Sequence, residues 1–176
     1  MNFSHLPTTL KKRWRDIAFW FLLVALISAR APTWLRAMQQ EGRAVPTLEL
    51  PTEAQQMRLL YDPSRGNQAL LFWASWCGPC KIELSRFDSS VRAGKIPPEK
   101  ILAISIDENP NEYKKAVRER GYPFPTAWDA GGRAARALGI EVTPTVVLVD
   151  NQGKVRSFST GMSFIGPWRV RRFVSP

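Results

Sequence analysis

Three short, almost wholly apolar runs limit what this chain can fold into: residues 69–74 (ALLFWA), 101–106 (ILAISI) and 145–149 (TVVLV). Each has the length of a strand, and a continuous apolar run fits a strand buried on both faces. Such strands need a covering layer on each side, so the segments between them must supply helices. After Pro79, residues Ile82, Leu84, Phe87 and Val91 recur at helical spacing until Gly94 and Pro97-Pro98 stop the pattern. Asn109 caps a helix that starts at Pro110, runs towards Arg120 and closes at Gly121. A small helix over 133–138 closes at Gly139. Residues 45–50, bracketed by Pro46 and Pro51, read as a short edge strand; residues 53–61 are ambiguous, a short helix being one reading. Residues 123–128 can form only a short extended piece. The tight connection Asp150-Asn151-Gln152-Gly153 returns the chain as an antiparallel strand over 154–159, and 166–174 reads as a terminal helix. The expectation is an α/β fold with parallel strands, an antiparallel edge from the closing hairpin, and helices on both faces.

The only two cysteines, Cys77 and Cys80, lie in FWASWCGPC, between the first apolar run and the first helical pattern. A bond between them closes too small a loop to add much stability through chain entropy, so the pair reads as chemical rather than architectural. A helix start has unpaired N–H groups and partial positive charge, which favour thiolate over thiol. Cysteines so placed have pKa values of roughly 3.5–7.5, against about 8.5 when free. Cys77 is therefore the expected nucleophile, and Cys80, deeper in the helix, is expected to be more buried and to resolve a mixed disulfide. Pro79 suits a first turn because its missing N–H costs nothing there, and Gly78 leaves room for a substrate backbone. Zinc is the main rival, but a structural site takes four ligands. There is no second cysteine pair, and the single histidine, His5, is remote in sequence. Two inert buried thiols are the other alternative.

Ahead of these elements, Lys11-Lys12-Arg13-Trp14-Arg15 is followed by the apolar run 17–29, bounded by Asp16 and Arg30. That run is short of the ~20 residues that span a bilayer, but Trp14 to Leu35 reaches the length, with tryptophans near both ends. An uncleaved signal anchor is favoured. A cleaved signal peptide ending at Ala29-Arg30-Ala31 is the alternative, although Pro32 would hinder cleavage; a buried core helix is a third reading. Both export readings leave the basic cluster in the cytoplasm. The expected organisation is a cytoplasmic basic segment 1–16, a transmembrane anchor 17–35, a linker 36–46 and a globular domain 47–176. Net charge is +10, but Lys and Arg are spread out and not interleaved with aromatics, so no nucleic-acid partner is expected.

FWASWCGPC followed by Lys81 resembles the active-site segment of thioredoxin-fold proteins, and VTPT (142–145) follows at that fold's spacing. More narrowly, the chain resembles the membrane-anchored TlpA/ResA-like branch of thiol:disulfide oxidoreductases. ISIDENPNEYKKAVRERGYPFPTAWD, ALGIEVTPTVVLVDNQGKV and the amino-terminal apolar segment carry that likeness, which covers roughly 45–161. The resemblance implies a thioredoxin-like three-layer fold, a central mixed sheet with helices on both faces, preceded by an N-terminal hydrophobic anchor helix. It also implies a cis Thr143-Pro144 bond facing the cysteines, with backbone groups there that pair with an extended substrate. It implies an exported protein-disulfide reductase with a Cys77–Cys80 redox disulfide and no cofactor. The clients would be apocytochrome c or other periplasmic cysteine proteins, and the electron donor a membrane thiol transporter of DsbD type. The location would be the bacterial inner membrane, with one span and the catalytic domain in the periplasm. Glu83 matches an acidic residue of that branch that would raise a thiol pKa or help move a proton, a solvated helix glutamate being the alternative. Trp76 would line the substrate surface and Trp73 would pack against the active-site helix.

The chain departs from the pattern in places. Leu71 stands where classical thioredoxins carry a buried aspartate, leaving Glu83 as the substitute. Ser85 replaces a proline found in many members, and the segment after Gly161 is unlike the family. A peroxide-reducing enzyme would need Thr-x-x-Cys, and Ala74 stands at that threonine position. A noncatalytic client- or copper-binding module, or an oxidant of exported thiols, would use the same groove.

Overall fold

The computed structural model describes Trp14, residues 16–25, Ser28 and residues 41–175. The chain divides into two compact units, Met1–Gln39 and Gln40–Pro176. In the first unit the described residues are helical. Among the described residues no helix is long and apolar enough to cross a membrane. Most of the expected basic segment 1–16 lies outside the described residues, as do 26–27 and 29–35 of the expected anchor and 36–40 of the expected linker.

The second unit is a thioredoxin-like α/β fold. Its elements are β1 (Glu49–Pro51), β2 (Met57–Leu59), β3 (Gln68–Trp73), α1 (Gly78–Arg92), β4 (Ile101–Ser105), α2 (Pro110–Arg120), β5 (Thr126–Trp128), α3 (Arg133–Ala137), β6 (Thr145–Val149), β7 (Val155–Thr160) and α4 (Gly166–Val174). The five-stranded sheet has the order β5-β4-β3-β6-β7. Strands β3, β4 and β5 are parallel, while β6 runs antiparallel to both β3 and β7. The sheet is therefore mixed, as the family resemblance implies, while the direction of β6 departs from the parallel arrangement expected from the alternating elements. An apolar run buried on both faces looks the same read either way; the path through α3 to the far side of β3 sets its direction.

The apolar runs are continuous because β3 is central and covered twice. Ala69, Leu71 and Trp73 face one layer, made by Leu84, Phe87 and Val91 of α1, Tyr113 of α2, and Val170 and Val174 of α4. Leu70 and Phe72 face the other, made by Ala134, Ala135 and Leu138 around α3 together with Leu50 and Leu60. Phe87 is fully buried, and truncation to alanine at such a position costs roughly 3–5 kcal/mol. Helix α2 is bounded as its sequence indicates. The Asn109 side chain accepts from the Asn111 N–H, and Gly121 takes a left-handed φ of 57° while its N–H donates to the Val117 carbonyl.

Three local expectations are corrected. Residues 53–61 form no helix: a turn in which the Thr52 and Gln56 backbones bond each other leads into β2, which pairs antiparallel with β1. The expected edge strand over 45–50 is split. Val45 donates to the Gly153 carbonyl, Leu48 accepts from Leu60, and only Glu49–Pro51 forms β1. Ile82 is exposed at 54 %. The buried stripe of α1 runs through Cys80, Glu83, Leu84, Phe87 and Val91 instead, because Ile82 lies off the i, i+4, i+7 row that starts at Cys80.

Candidate redox site

Strand β3 ends at Trp73, and Ala74, Ser75 and Trp76 turn the chain into α1. Cys77 is the N-cap of α1 with extended backbone, and its sulfur accepts the Cys80 N–H at 3.2 Å. One orphan donor of the helix start is thus aimed at this sulfur. Cys77 and Cys80 are joined by a disulfide, with Cα atoms 5.2 Å apart. Cys80 is fully buried, while Cys77 keeps 6 % exposure, so an incoming group meets Cys77. A Cβ on Gly78 would touch nothing within 4 Å among the described residues, and Gly78 and Pro79 are both exposed. The approach to the first helical turn is open.

Across from the disulfide, the Thr143–Pro144 peptide bond is cis. The Thr143 carbonyl oxygen lies 3.7 Å from Cys77 Sγ. In the disulfide this is a contact without a proton; after reduction the thiol has an acceptor there. The loop is held from behind, since Thr145 Oγ1 donates to the Val142 carbonyl at 2.8 Å and Gly161 N–H donates to the Pro144 carbonyl at 2.8 Å. Val142 and Trp76 project into solvent at 53 % and 67 % exposure. Trp73 is buried, its ring edge-on to Tyr122 at 5.9 Å.

Glu83 lies one turn beyond Cys80 and is buried at 1 % exposure, so it is not a solvated helix glutamate. Its carboxylate faces the start of α4. Oε2 accepts the Ser163 N–H at 3.3 Å and lies 3.9 Å from Arg86 Nη1, and Oε1 has no hydrogen-bond partner among the described residues. Burial pushes the Glu83 carboxyl above its ordinary range, and the Ser163 N–H and Arg86 only partly oppose that. Gly166 packs against it so closely that a Cβ would fall 2.6 Å from Oε1.

Asp107 escaped the sequence reading. It is buried, just past the end of β4, and braces the turn before Cys77. Its carboxylate accepts the Ser75 N–H at 3.0 and 3.1 Å, the Ser75 hydroxyl at 2.8 Å and the Ser105 hydroxyl at 2.6 Å. Its carbonyl accepts the Trp128 indole N–H at 2.6 Å. The signal available was an aspartate at the carboxyl end of a buried parallel strand, where α/β sheets place their sites. Because the Ser75 hydroxyl is committed to Asp107, the turn offers Cys77 no hydroxyl in place of the threonine absent at Ala74.

A disulfide at a strand-to-helix junction, facing a cis proline at the start of an antiparallel strand, defines a thioredoxin-like redox domain. The AhpC/TSA family profile matches residues 42–158, more than half of the chain, and the chain belongs to that family. Within it the likeness is to the ResA and DsbE-like branch. The chain is 34% identical over 86 residues to thiol-disulfide oxidoreductase ResA of Bacillus thuringiensis subsp. konkukian, covering 49% of this chain and 50% of the relative. It is 27% identical over 103 residues to sporulation thiol-disulfide oxidoreductase A of Bacillus subtilis, covering 56% and 62%. The chain therefore spans about half of the length of the first curated relatives it matches. A Chlorobium tepidum structure assigned as a thiol:disulfide interchange protein DsbE superposes with TM-score 0.66 at 25% identity, over 76% of this chain and 94% of that one. StoA from Bacillus subtilis superposes with TM-score 0.63 at 21% identity, over 74% and 98%, a likeness of fold.

Proposed function

We propose that this chain is an exported thiol:disulfide oxidoreductase that passes electrons from its Cys77–Cys80 pair to client protein disulfides. The observation that carries the reading is the Cys77 sulfur, capped by the Cys80 N–H and the less buried of the pair. In the reduced protein the Cys77 thiolate attacks one client sulfur. A mixed disulfide forms and the other client sulfur leaves as thiolate. The Cys80 thiolate then attacks Cys77 Sγ, forming the Cys77–Cys80 disulfide and releasing the second client sulfur. Two electrons pass to the client, whose two thiolates take up the two protons the dithiol gave up. Glu83, with its raised carboxyl pKa, serves as the proton acceptor for Cys80. Trp76, Gly78, Pro79, Thr143 and Pro144 form the groove, where an extended client pairs with the backbone beside Pro144.

The Gly-Pro dipeptide resembles that of reducing thioredoxins, which favours reduction over oxidation. By likeness to the ResA branch, the clients are apocytochrome c or other periplasmic cysteine proteins, and the donor is a membrane thiol transporter of DsbD type. Residues 17–35 anchor the domain in the bacterial inner membrane, with 47–176 on the periplasmic side.

Insulin reduction with dithiothreitol tests the activity: turnover by the wild-type chain and its loss in Cys77→Ser are expected. Client binding without turnover in the wild type would instead make this a noncatalytic module. Trapping with Cys80→Ala in cells, followed by mass spectrometry, names the client.

A further inference from the structure

The carboxyl-terminal segment after β7 is the part of the chain that the family likeness leaves unexplained, yet its first residues are tied to the redox site at two points. Gly161 N–H donates to the Pro144 carbonyl. Two residues on, Ser163 bonds both buried Glu83 and Arg86 of α1, its carbonyl accepting from Arg86 Nη1 at 3.0 Å. Between and beyond these ties the segment turns apolar side chains outward: Met162 at 46 %, Phe164 at 85 %, Ile165 at 56 % and Trp168 at 53 % exposure. The Arg86 guanidinium lies 4.8 Å from the Phe164 ring centre, and Arg172 lies 5.1 Å from that of Trp168. Exposed aromatics with stacked arginines are the composition of protein interface anchors. The segment itself carries one sign of charge: from Gly161 to Pro176 there is no Asp or Glu, while Arg169, Arg171 and Arg172 are cationic, and the carboxylate set against its start, Glu83, is buried beside Arg86.

We infer that residues Met162–Trp168 form a docking shelf for client proteins that carry, at short range from their cysteine, an apolar residue with acidic neighbours. This rests on the oxidoreductase reading above and adds what that reading lacks, a basis for choosing among clients. Arg86 is nine residues beyond Cys77 on α1, about 13–14 Å at 1.5 Å per residue. An extended client covers that distance in about four residues. A client side chain about four positions from the attacked cysteine therefore reaches Phe164. Carboxylates beside it meet the arginines, which speeds encounter and selects against basic clients.

The test uses the full-length, fully reduced protein in nanodiscs of zwitterionic lipid, mixed with peptides that each contain one disulfide. One peptide carries Leu four residues from its cysteine between two Glu; the other carries Ser between two Lys. The wild type is expected to reduce the first about 10-fold faster in second-order rate, the scale of one interface hot spot, with the preference shrinking as salt rises. Phe164→Ser, at an exposed position, is expected to remove most of that preference. Equal rates for the two peptides, or an unchanged preference in Phe164→Ser, overturn the inference. So does protection of 162–168 from hydrogen exchange by anionic-lipid nanodiscs with no peptide preference in either lipid, which assigns the face to the membrane. Hydroxyethyl disulfide, uncharged and too small to reach Phe164, separates the two failures. If the wild type cannot reduce it, the oxidoreductase reading falls; if it can, only the shelf is at issue.

Discussion

Replacing Asp107 tests how the redox turn is held. In Asp107→Ala the Ser75 N–H, the Ser75 hydroxyl and the Ser105 hydroxyl all lose their acceptor. Ser105 is fully buried and cannot turn to water, whereas half-buried Ser75 can recover part of its loss. An unsatisfied buried polar group costs ~1–3 kcal/mol, so the sum is about 3 kcal/mol. In a domain of this size that lowers Tm by roughly 6–12 °C. Asp107→Asn keeps the shape and one acceptor oxygen, but its NH2 then faces a hydroxyl that must give up its own donor bond; about half the loss is expected. Activity should follow the same order. Ser75 is two residues before Cys77, and a reacting atom displaced by ~1 Å costs up to 100-fold in rate. Insulin reduction is therefore expected to fall about 10-fold in Asp107→Asn and further in Asp107→Ala. Urea denaturation of the oxidised, detergent-solubilised protein reads the stability. An Asp107→Ala variant within about 0.5 kcal/mol of wild type, the range of ordinary surface changes, would refute the reasoning.

Two further outcomes concern Glu83. Its carboxyl pKa is raised in the folded protein, so the folded state holds its proton more tightly than the unfolded one. The stability this confers is complete below the unfolded value near 4.3 and is lost as pH rises through the folded value. Glu83→Gln should flatten that part of a stability-versus-pH curve; an unchanged slope would count against the assignment. Gly166→Ala drives a methyl against Glu83 Oε1 and should cost about 1–3 kcal/mol as overpacking. In a Glu83→Ala background the same change should cost clearly less, and strict additivity in a double-mutant cycle would argue against the contact.

The sequence by itself determined the layers and the reactive pair. Runs apolar on both faces demand covered strands, and Cys77 and Cys80 sit where one such run gives way to a helix, so the sulfur at the cap follows from neighbours along the chain. The buried stripe of α1 was legible apart from Ile82, because periodicity alone cannot say that Glu83 faces inward. Only the tertiary structure decided what lies around the pair. The Glu83 partner Ser163 is 80 residues away, and Ser75 and Asp107 are 32 apart. Neither pairing leaves a local pattern, since a carboxylate bonded to a distant N–H reads in sequence like one bonded to water. The direction of β6 was hidden for the same reason: burial on both faces records that a strand is covered, not which way it runs or what it lies beside.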